Sequence, residues 1–506
     1  MKKTPVSTLV LCIGLLFCSS STLLSQKKSN TPNFILILVD DQGWNGTSVQ
    51  MSDDDPLSKS DYHQTPNVEM LAANGMRFSA AYASAPVCSP SRYSIQFGQT
   101  PARLKMIRVG MNTKHINHQT PITIPKLLKK INPTYKTAHF GKWGIDVDPA
   151  DLGYDESDGI TGNKDGGFDY RNNKKQWRNN ISEDPKKIFS VTESAIDFLE
   201  RQARFNTPFF LQVSHYAVHS DITMLEQTLV KYKNLVRGKY QNHAGFAAMT
   251  EDLDTGVGLL LDKVRTLGLN ENTYIIYTSD NGAVPMMPPK AKYQKGSNTP
   301  LSRGKWDAME GGIRVPFIVS GPKITPGKES KTSISFSDIL PTIIDLAGQK
   351  LPLTELLDGG SFKKALIKNR KYKVVRKTEG MIFHVPYKNG IAINRAHSAI
   401  IIDNFKLIKF HDNNQLKLFN ISSDYAEENN LVNILTEKAV TLEKALDAYL
   451  KRVKAPKWKP GITWKQMPLE KINSQYYPAN KRYANSDSKS SKQHDSNSQL
   501  KTYKIN

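Results

Sequence analysis

Phe34-Ile35-Leu36-Ile37-Leu38-Val39-Asp40-Asp41-Gln42-Gly43-Trp44 decides the architecture. Six apolar residues with no polar break suit a strand buried on both faces, and such strands belong to parallel sheets covered by helices. The run then stops on two carboxylates. Similar short runs recur at 137–140, 209–213 and 274–277, the last leading into Thr278-Ser279-Asp280-Asn281-Gly282. In open sheets of this kind ligands sit beyond the carboxyl ends of the strands, which points at Asp40, Asp41, Asp280 and Asn281.

Between these runs lie amphipathic stretches at 191–202 and 246–267, so strands alternate with helices. One more helix is expected at 336–346, after which the pattern changes. Residues 381–384, 397–402, 405–410 and 416–419 read as short strands separated by turn residues such as Asp412-Asn413-Asn414, and 436–453 as a closing helix. The expected fold is α/β: a large mixed, mostly parallel sheet sandwiched by helices (32–375), then a smaller C-terminal α+β subdomain with a short antiparallel sheet (376–465). From 483 to 506 the Ser, Asn, Lys and Asp-rich tail holds too little apolar material to order itself.

The first residues, Met1-Lys2-Lys3, then an apolar stretch from Leu9 to Cys18, then Ser19-Ser20-Ser21-Thr22, follow the order of a secretory signal. Residues 1–26 are therefore expected to be a leader. The stretch is shorter than the roughly 20 residues a membrane span needs, so no retained transmembrane anchor is expected. Export, to the periplasm or beyond the cell, is the expectation. Cys18, ahead of serines, raises a lipid anchor as a second reading of the same segment, although the bulky Phe17 stands where a small residue is usual.

Of three cysteines, Cys12 and Cys18 fall in the leader and Cys88 stands alone. It cannot form an internal disulfide, so it is a buried bystander or a residue kept for its chemistry. The formal charge of the 506-residue chain is +22, spread along its length. For an exported chain that balance fits an anionic polysaccharide better than nucleic acid, with plain solubility as the alternative.

Asp40, Asp41, Asp280 and Asn281 are four hard oxygen donors with no Cys or His cluster beside them, a set suited to calcium or magnesium rather than zinc. Any one pair alone could simply cap a helix or start a turn. Cys88-Ser89-Pro90-Ser91-Arg92 opens a stretch of helical spacing with proline in its first turn, placing Cys88 where a helix N-terminus favours an anion. On spacing alone a reactive thiol beside Arg92 and an inert buried one remain equally open.

Cys88-x-Pro90-x-Arg92 resembles the signature of the type I, formylglycine-dependent sulfatases of the alkaline phosphatase superfamily. The resemblance runs from about 32 to 460 through Asp40-Asp41-Gln42-Gly43-Trp44, Thr65-Pro66-Asn67, Gly141-Lys142-Trp143, His215-Tyr216-Ala217-Val218-His219, Thr278 to Gly282, Gly304-Lys305 and Glu310-Gly311-Gly312-Ile313-Arg314. It implies an alkaline phosphatase-like fold and one calcium ion held by Asp40, Asp41, Asp280, Asn281 and the formylglycine made from Cys88. It further implies Arg92 supporting that side chain, Lys142 and Lys305 gripping sulfate, His219 on the ester oxygen, and a host enzyme that generates formylglycine. Two hydroxyls on the hydrated aldehyde would let one attack sulfur and the other expel sulfate.

One position departs from the pattern. The family usually reads Gly-Lys-Trp-His, whereas Gly144 follows Trp143 here. His139 is a poor replacement, because strand alternation sends it to the face opposite Lys142. His215, His384 and His397 are the other imidazoles considered for the missing role, with His215 and His384 also as substrate contacts. The expected activity is hydrolysis of sulfate esters on a carbohydrate, a sulfated polysaccharide or its oligosaccharides. The alternatives are a phosphoester or phosphonate hydrolase on the same platform and an impaired protein that only binds anionic glycans.

Overall fold

The computed structural model describes residues 31–460 apart from 112, 169–177, 286–297, 355, 369–371, 389–392 and 394. The expected leader with Cys12 and Cys18, the stretch 461–465 and the tail at 483–506 lie outside the described residues.

The opening apolar run is β1 (Asn33–Val39), buried along its whole length. Its side chains alternate between two cores, Phe34, Leu36 and Leu38 into one and Ile35, Ile37 and Val39 into the other. Each such side chain withdrawn from water contributes about 1.5–3 kcal/mol, so both faces must be covered. The remaining strands of its sheet are β2 (Gly75–Phe78), β3 (Lys136–Gly141), β4 (Glu156–Ser157), β5 (Phe209–Ser214), β6 (Thr273–Ser279), β7 (Phe317–Ser320) and β8 (Lys328–Ser330), in the order β8-β2-β7-β6-β1-β5-β3-β4.

Helix α1 (Cys88–Phe97) and α4 (Ile339–Leu346) cover one face, and α2 (Ile188–Arg204) and α3 (Ala244–Thr266) the other. The mixed, mostly parallel sheet between helices is thus the expected one. β7 alone runs against its neighbours β6 and β2. β2, β7, β8 and β4 were not anticipated, because two to four residues are too few to display a period. Residues 336–338 form a 3₁₀ turn leading into α4 rather than its first turn.

The central strands β6, β1, β5 and β3 are mutually parallel, with Val39 paired to Ser279, Leu38 to Ser214 and Gly141 to Ser214. Their carboxyl ends are therefore flush. The residues that follow them, Asp280, Asp40, His215 and Lys142, emerge along one edge.

Strands β9 (Met381–Val385), β10 (His397–Ile402), β11 (Phe405–Phe410) and β12 (Leu416–Asn420) form the antiparallel C-terminal sheet. Phe383, Ala399, Ile401, Ile408 and Phe419 on one face join the core beneath α1 and α4. Ile382, Ile400, Leu407 and Leu418 on the other pack on Leu442, Leu446 and Tyr449 of α5 (Thr436–Arg452).

Candidate active site

Consecutive residues of a strand point to opposite faces, yet Asp40 and Asp41 both reach one cluster. Asp41 leaves β1 in the left-handed conformation, φ 61°, which turns its carboxylate back toward its neighbour. The segment after β5 is zipped to the same corner, Asp40 N donating to Ala217 O at 2.9 Å and Val218 N to Asp40 O at 2.7 Å. This brings His219 within 3.8 Å of Asp41. Asp280 accepts from Asp41 N at 3.2 Å, and Asn281 Nδ2 donates to Asp41 Oδ1 at 2.7 Å.

Oxygens of Asp40, Asp41 and Asp280 all lie within 4.8 Å of one another, and all three residues are buried. Asp40 Oδ1 and Asn281 Oδ1 are buried without a hydrogen-bond partner among the described residues. Buried oxygens left in this way call for a cation, and an all-oxygen donor set of this kind fits calcium or magnesium.

Cations ring the carboxylates. Lys142 bonds Asp40 directly, Lys305 Nζ forks onto Asp41 at 2.6 and 2.7 Å, and Arg92 Nε donates to Asp280 at 2.9 Å. Burial alone would raise the Asp40 carboxyl, but Lys142, His219, Arg92 and Lys305 hold it well below the usual carboxylate range. Asp280 moves the other way, pushed up to about 6 by burial and then by the Asp40 charge. Burial pushes His219 down to about 4 despite Asp40 and Asp41. Its Nδ1 faces the Ser220 carbonyl at 2.5 Å, which can only accept, so Nδ1 carries the proton and Nε2 faces Asp41.

Cys88 is the first residue of α1, and no side chain caps that helix, so its leading N–H groups stay directed at the cluster end. Ser91 Oγ accepts from Ala85 N at 3.0 Å and fixes the approach to the helix. Arg92, one turn on, lies on the same side as Cys88, and the charges of Arg92 and Lys305 both act on it. Lys305 N donates to Ala283 O and Trp306 N to Pro86 O, tying this lysine between β6 and α1. A side chain at Gly282 would drive its Cβ to 1.9 Å from Gly311 O, so only glycine allows the 282 and 311 backbones to touch.

Residues 32–349 match the sulfatase family, and 305–456 match the N-sulphoglucosamine sulphohydrolase C-terminal family. The chain belongs to the sulfatase family. It is similar to mouse N-acetylgalactosamine-6-sulfatase, 30% identical over 394 residues covering 70% of each chain. It also resembles the Ulvan-active sulfatase of Formosa agariphila, 27% identical over 490 residues, 89% of this chain and 87% of that one. Among solved structures, Ps i-CgsB superposes with a TM-score of 0.70 at 25% identity over 88% of this chain and 97% of its own, and with 0.69 in complex with k-i-k-neocarrahexaose. A sulfatase is a sulfuric ester hydrolase, and that is the activity of this chain.

Against the sulfatase pattern, Gly144 holds φ 69°, and a Cβ there would sit 2.9 Å from Arg92 Cδ and 3.7 Å from Lys142 Cε. The position borders the cluster, and the Arg92 side chain occupies the space a histidine would need. His139 packs edge-on against Trp143 with Nε2 3.1 Å from Ser214 Oγ, and burial, then Arg92, push it down to about 3. His215 sits at the end of β5, pushed down to about 4 by burial with no contribution from the cluster's charges. The structure does not bring His384 to the cluster: its nitrogens bond Ser398 Oγ and Pro456 O, both at 2.6 Å. His397 accepts from Ala308 N at 2.9 Å and so braces the Lys305 segment from outside.

Lys186 escaped sequence reasoning. It lies in a turn (Pro185–Lys187) far from any motif, yet only 5% of it is exposed, and Asp40, Asp221, Lys142 and Asp41 all act on it. In a chain so rich in lysine no sequence signal separates it from the solvated ones.

Proposed function

We propose that this sulfatase is an exported, calcium-dependent enzyme that removes sulfate from a sulfated polysaccharide or its oligosaccharides, with a formylglycine made from Cys88 as nucleophile. The observation that carries the proposal is the juxtaposition of Cys88, at an uncapped helix start beside Arg92 and Lys305, with three carboxylates and an asparagine, of which Asp40 and Asn281 each keep an oxygen unpartnered among the described residues. The carbohydrate substrate is supported by the names of the relatives, an N-acetylgalactosamine-6-sulfatase and an Ulvan-active sulfatase, by the oligosaccharide in the Ps i-CgsB complex, and by the basic charge. The order of charge, apolar and small residues at the N-terminus supports export.

Asp40, Asp41, Asp280, Asn281 and the modified residue 88 would hold the calcium, which supplies positive charge where the sulfate oxygens gather. The hydrate of formylglycine supplies one hydroxyl to attack sulfur and a second whose electrons later expel sulfate. Around it, Lys142 and Lys305 each carry three N–H donors, enough to hold a carboxylate and a sulfate oxygen together. Arg92, bonded to Asp280 and to the Lys142 carbonyl, keeps residue 88, Asp280 and Lys142 in one rigid unit. An anionic sulfate beside His219 raises the proton affinity of Nε2, turning it toward the donor that the leaving oxygen needs.

The test is sulfate release from algal and animal sulfated glycans, read by ion chromatography, with protein whose residue 88 is confirmed as formylglycine by mass spectrometry. Release from one glycan class, lost to background in Cys88→Ala, is the expected result. Full modification with no release from any glycan would overturn the proposed substrate.

A further inference from the structure

The segment that follows β4 carries an aromatic ring to the imidazole of the site. Thr161 Oγ1 accepts from Trp143 N at 2.9 Å and donates to the Gly141 carbonyl, and Thr161 O accepts from Gly144 N at 2.8 Å, so the segment is hydrogen-bonded to residues on either side of Lys142. A 3₁₀ turn (Asn163–Gly166) comes next, closed by Gly162 N donating to Asp165 at 2.7 Å and by Phe168 N donating to Asn163 O at 3.1 Å. Gly166 lies on Tyr216 so closely that a Cβ there would meet the tyrosine ring at 2.4 Å. The turn is thus fixed between the segment of Lys142 and the segment of His219.

Phe168 leaves this turn with its ring 4.9 Å from the His219 ring, centre to centre, and perpendicular to it at 89°. Edge-to-face packing at this distance is attractive and holds one ring against the other. His219 is only 8% exposed, whereas Phe168 is half-buried. Apolar surface is therefore left uncovered beside the imidazole, in a cluster otherwise made of charged and polar side chains. The sulfatase reading puts the ester oxygen on His219, and that oxygen carries the sugar one bond away. A sugar has a polar rim of hydroxyls but a face of C–H groups, which suits the negative face of an aromatic ring.

We propose that Phe168 is a substrate-binding residue that sets specificity on the alcohol side of the ester, its ring packing on the C–H face of the sugar that bears the sulfate. This rests on the sulfatase reading of the site. Recognition is then divided across the scissile bond, with charge for the sulfate and an aromatic face for the sugar.

The test compares wild type, Phe168→Leu and Phe168→Tyr as full-length protein with calcium and formylglycine. Leucine keeps bulk against His219 without a π face, and tyrosine keeps the face. The readouts are kcat and KM for sulfate release from ulvan, carrageenan and chondroitin sulfate oligosaccharides, and the Ki of inorganic sulfate, which carries no sugar. On the oligosaccharide that wild type cleaves, KM is expected to rise about threefold to tenfold in the Leu variant and to stay within about twofold in the Tyr variant, with the sulfate Ki within about twofold in both. Phe168→Ala removes the whole side chain and is expected to raise KM by about tenfold or more. If the Ala variant does not fold, the Leu and Tyr pair decides. A wild-type KM in the Leu variant would overturn the assignment. So would a lower kcat at unchanged KM, the mark of a residue that only holds His219, or a sulfate Ki that rises in step with KM. If wild type releases no sulfate from any of these oligosaccharides, their calorimetric Kd replaces KM. Binding weakened in the Leu variant and kept in the Tyr variant would then leave the assignment standing and overturn the proposed function, and no binding at all would overturn both.

Discussion

Two clusters of buried charge hang from the two ends of the segment 305–314, and they are built on opposite plans. At its far end Arg314 and Lys406 face Glu310 and Glu427, two charges against two. Arg314 Nε lies 2.7 Å from Glu310, and Lys406 Nζ lies 3.0 Å from Glu310 and 2.9 Å from Glu427. The Arg314 guanidinium is further enclosed by Trp44, Tyr82 and Tyr425, 4.7–5.3 Å from the ring centres. At the near end Asp40, Asp41 and Asp280 are paired with Lys142, Lys305 and Arg92, three against three, but oxygens of Asp40 and Asn281 are left unpartnered among the described residues. The first cluster is closed and ties the C-terminal sheet to the catalytic segment. The second is open, with buried oxygens that its own side chains do not satisfy and that suit a cation.

The contrast can be broken by mutation at the closed cluster first. Lys406→Met leaves Glu310 and Glu427 facing each other in the interior and is expected to cost about 3–5 kcal/mol of stability, read from the urea midpoint, with or without calcium. A midpoint equal to wild type would mean that Lys406 does not offset the two buried glutamates. At the open cluster calcium itself is the variable. Chelation is expected to lower the thermal midpoint by the equivalent of about 2.7 kcal/mol relative to calcium at a hundred times its Kd, and Asp41→Asn to abolish that difference. A calorimetric trace unaffected by chelation would remove the metal reading.

The smallest effect concerns two neighbouring imidazoles at the C-terminal sheet, buried His384 and half-buried His411. Burial, then Lys409, push His411 down to about 4, and burial, then His411, push its neighbour His384 to about 3. Since the folded form binds the proton less readily than the unfolded chain, their stabilisation is complete above about pH 6.5 and is lost as pH falls from there toward 4. His411→Gln is expected to flatten that loss by about 1 kcal/mol at pH 5.5, measured by denaturation across pH. An unchanged slope would show that His411 stays neutral in neither state or both.

Much of this was readable in advance. The long apolar strands, the amphipathic helices α2 and α3, the four C-terminal strands and α5 all declare themselves by period and composition, because each element buries a regular set of positions. The short strands β2, β7 and β8 do not, since their pairing is decided by neighbours brought from elsewhere. At the site, Asp40, Asp41, Cys88, Arg92, Lys142, His219, Asp280, Asn281 and Lys305 were named from motifs, and the structure draws all of them to one corner. His384 carried no such local signal, and its place behind Ser398 and Pro456 could not be read from spacing.

By itself the sequence determined the strand-and-carboxylate grammar: apolar runs ending in Asp40-Asp41 and Asp280-Asn281, a lone cysteine at a helix start, and a glycine where an imidazole is usual. Those are properties of consecutive residues, and chain geometry carries them directly into local structure. Only the tertiary structure decided that Lys186 is buried while Lys187 remains in water, and that Arg92 fills the space beside Gly144. Burial and charge pairing arise between residues far apart in the chain, and a lysine's meaning depends on which carboxylates the fold leaves within its reach.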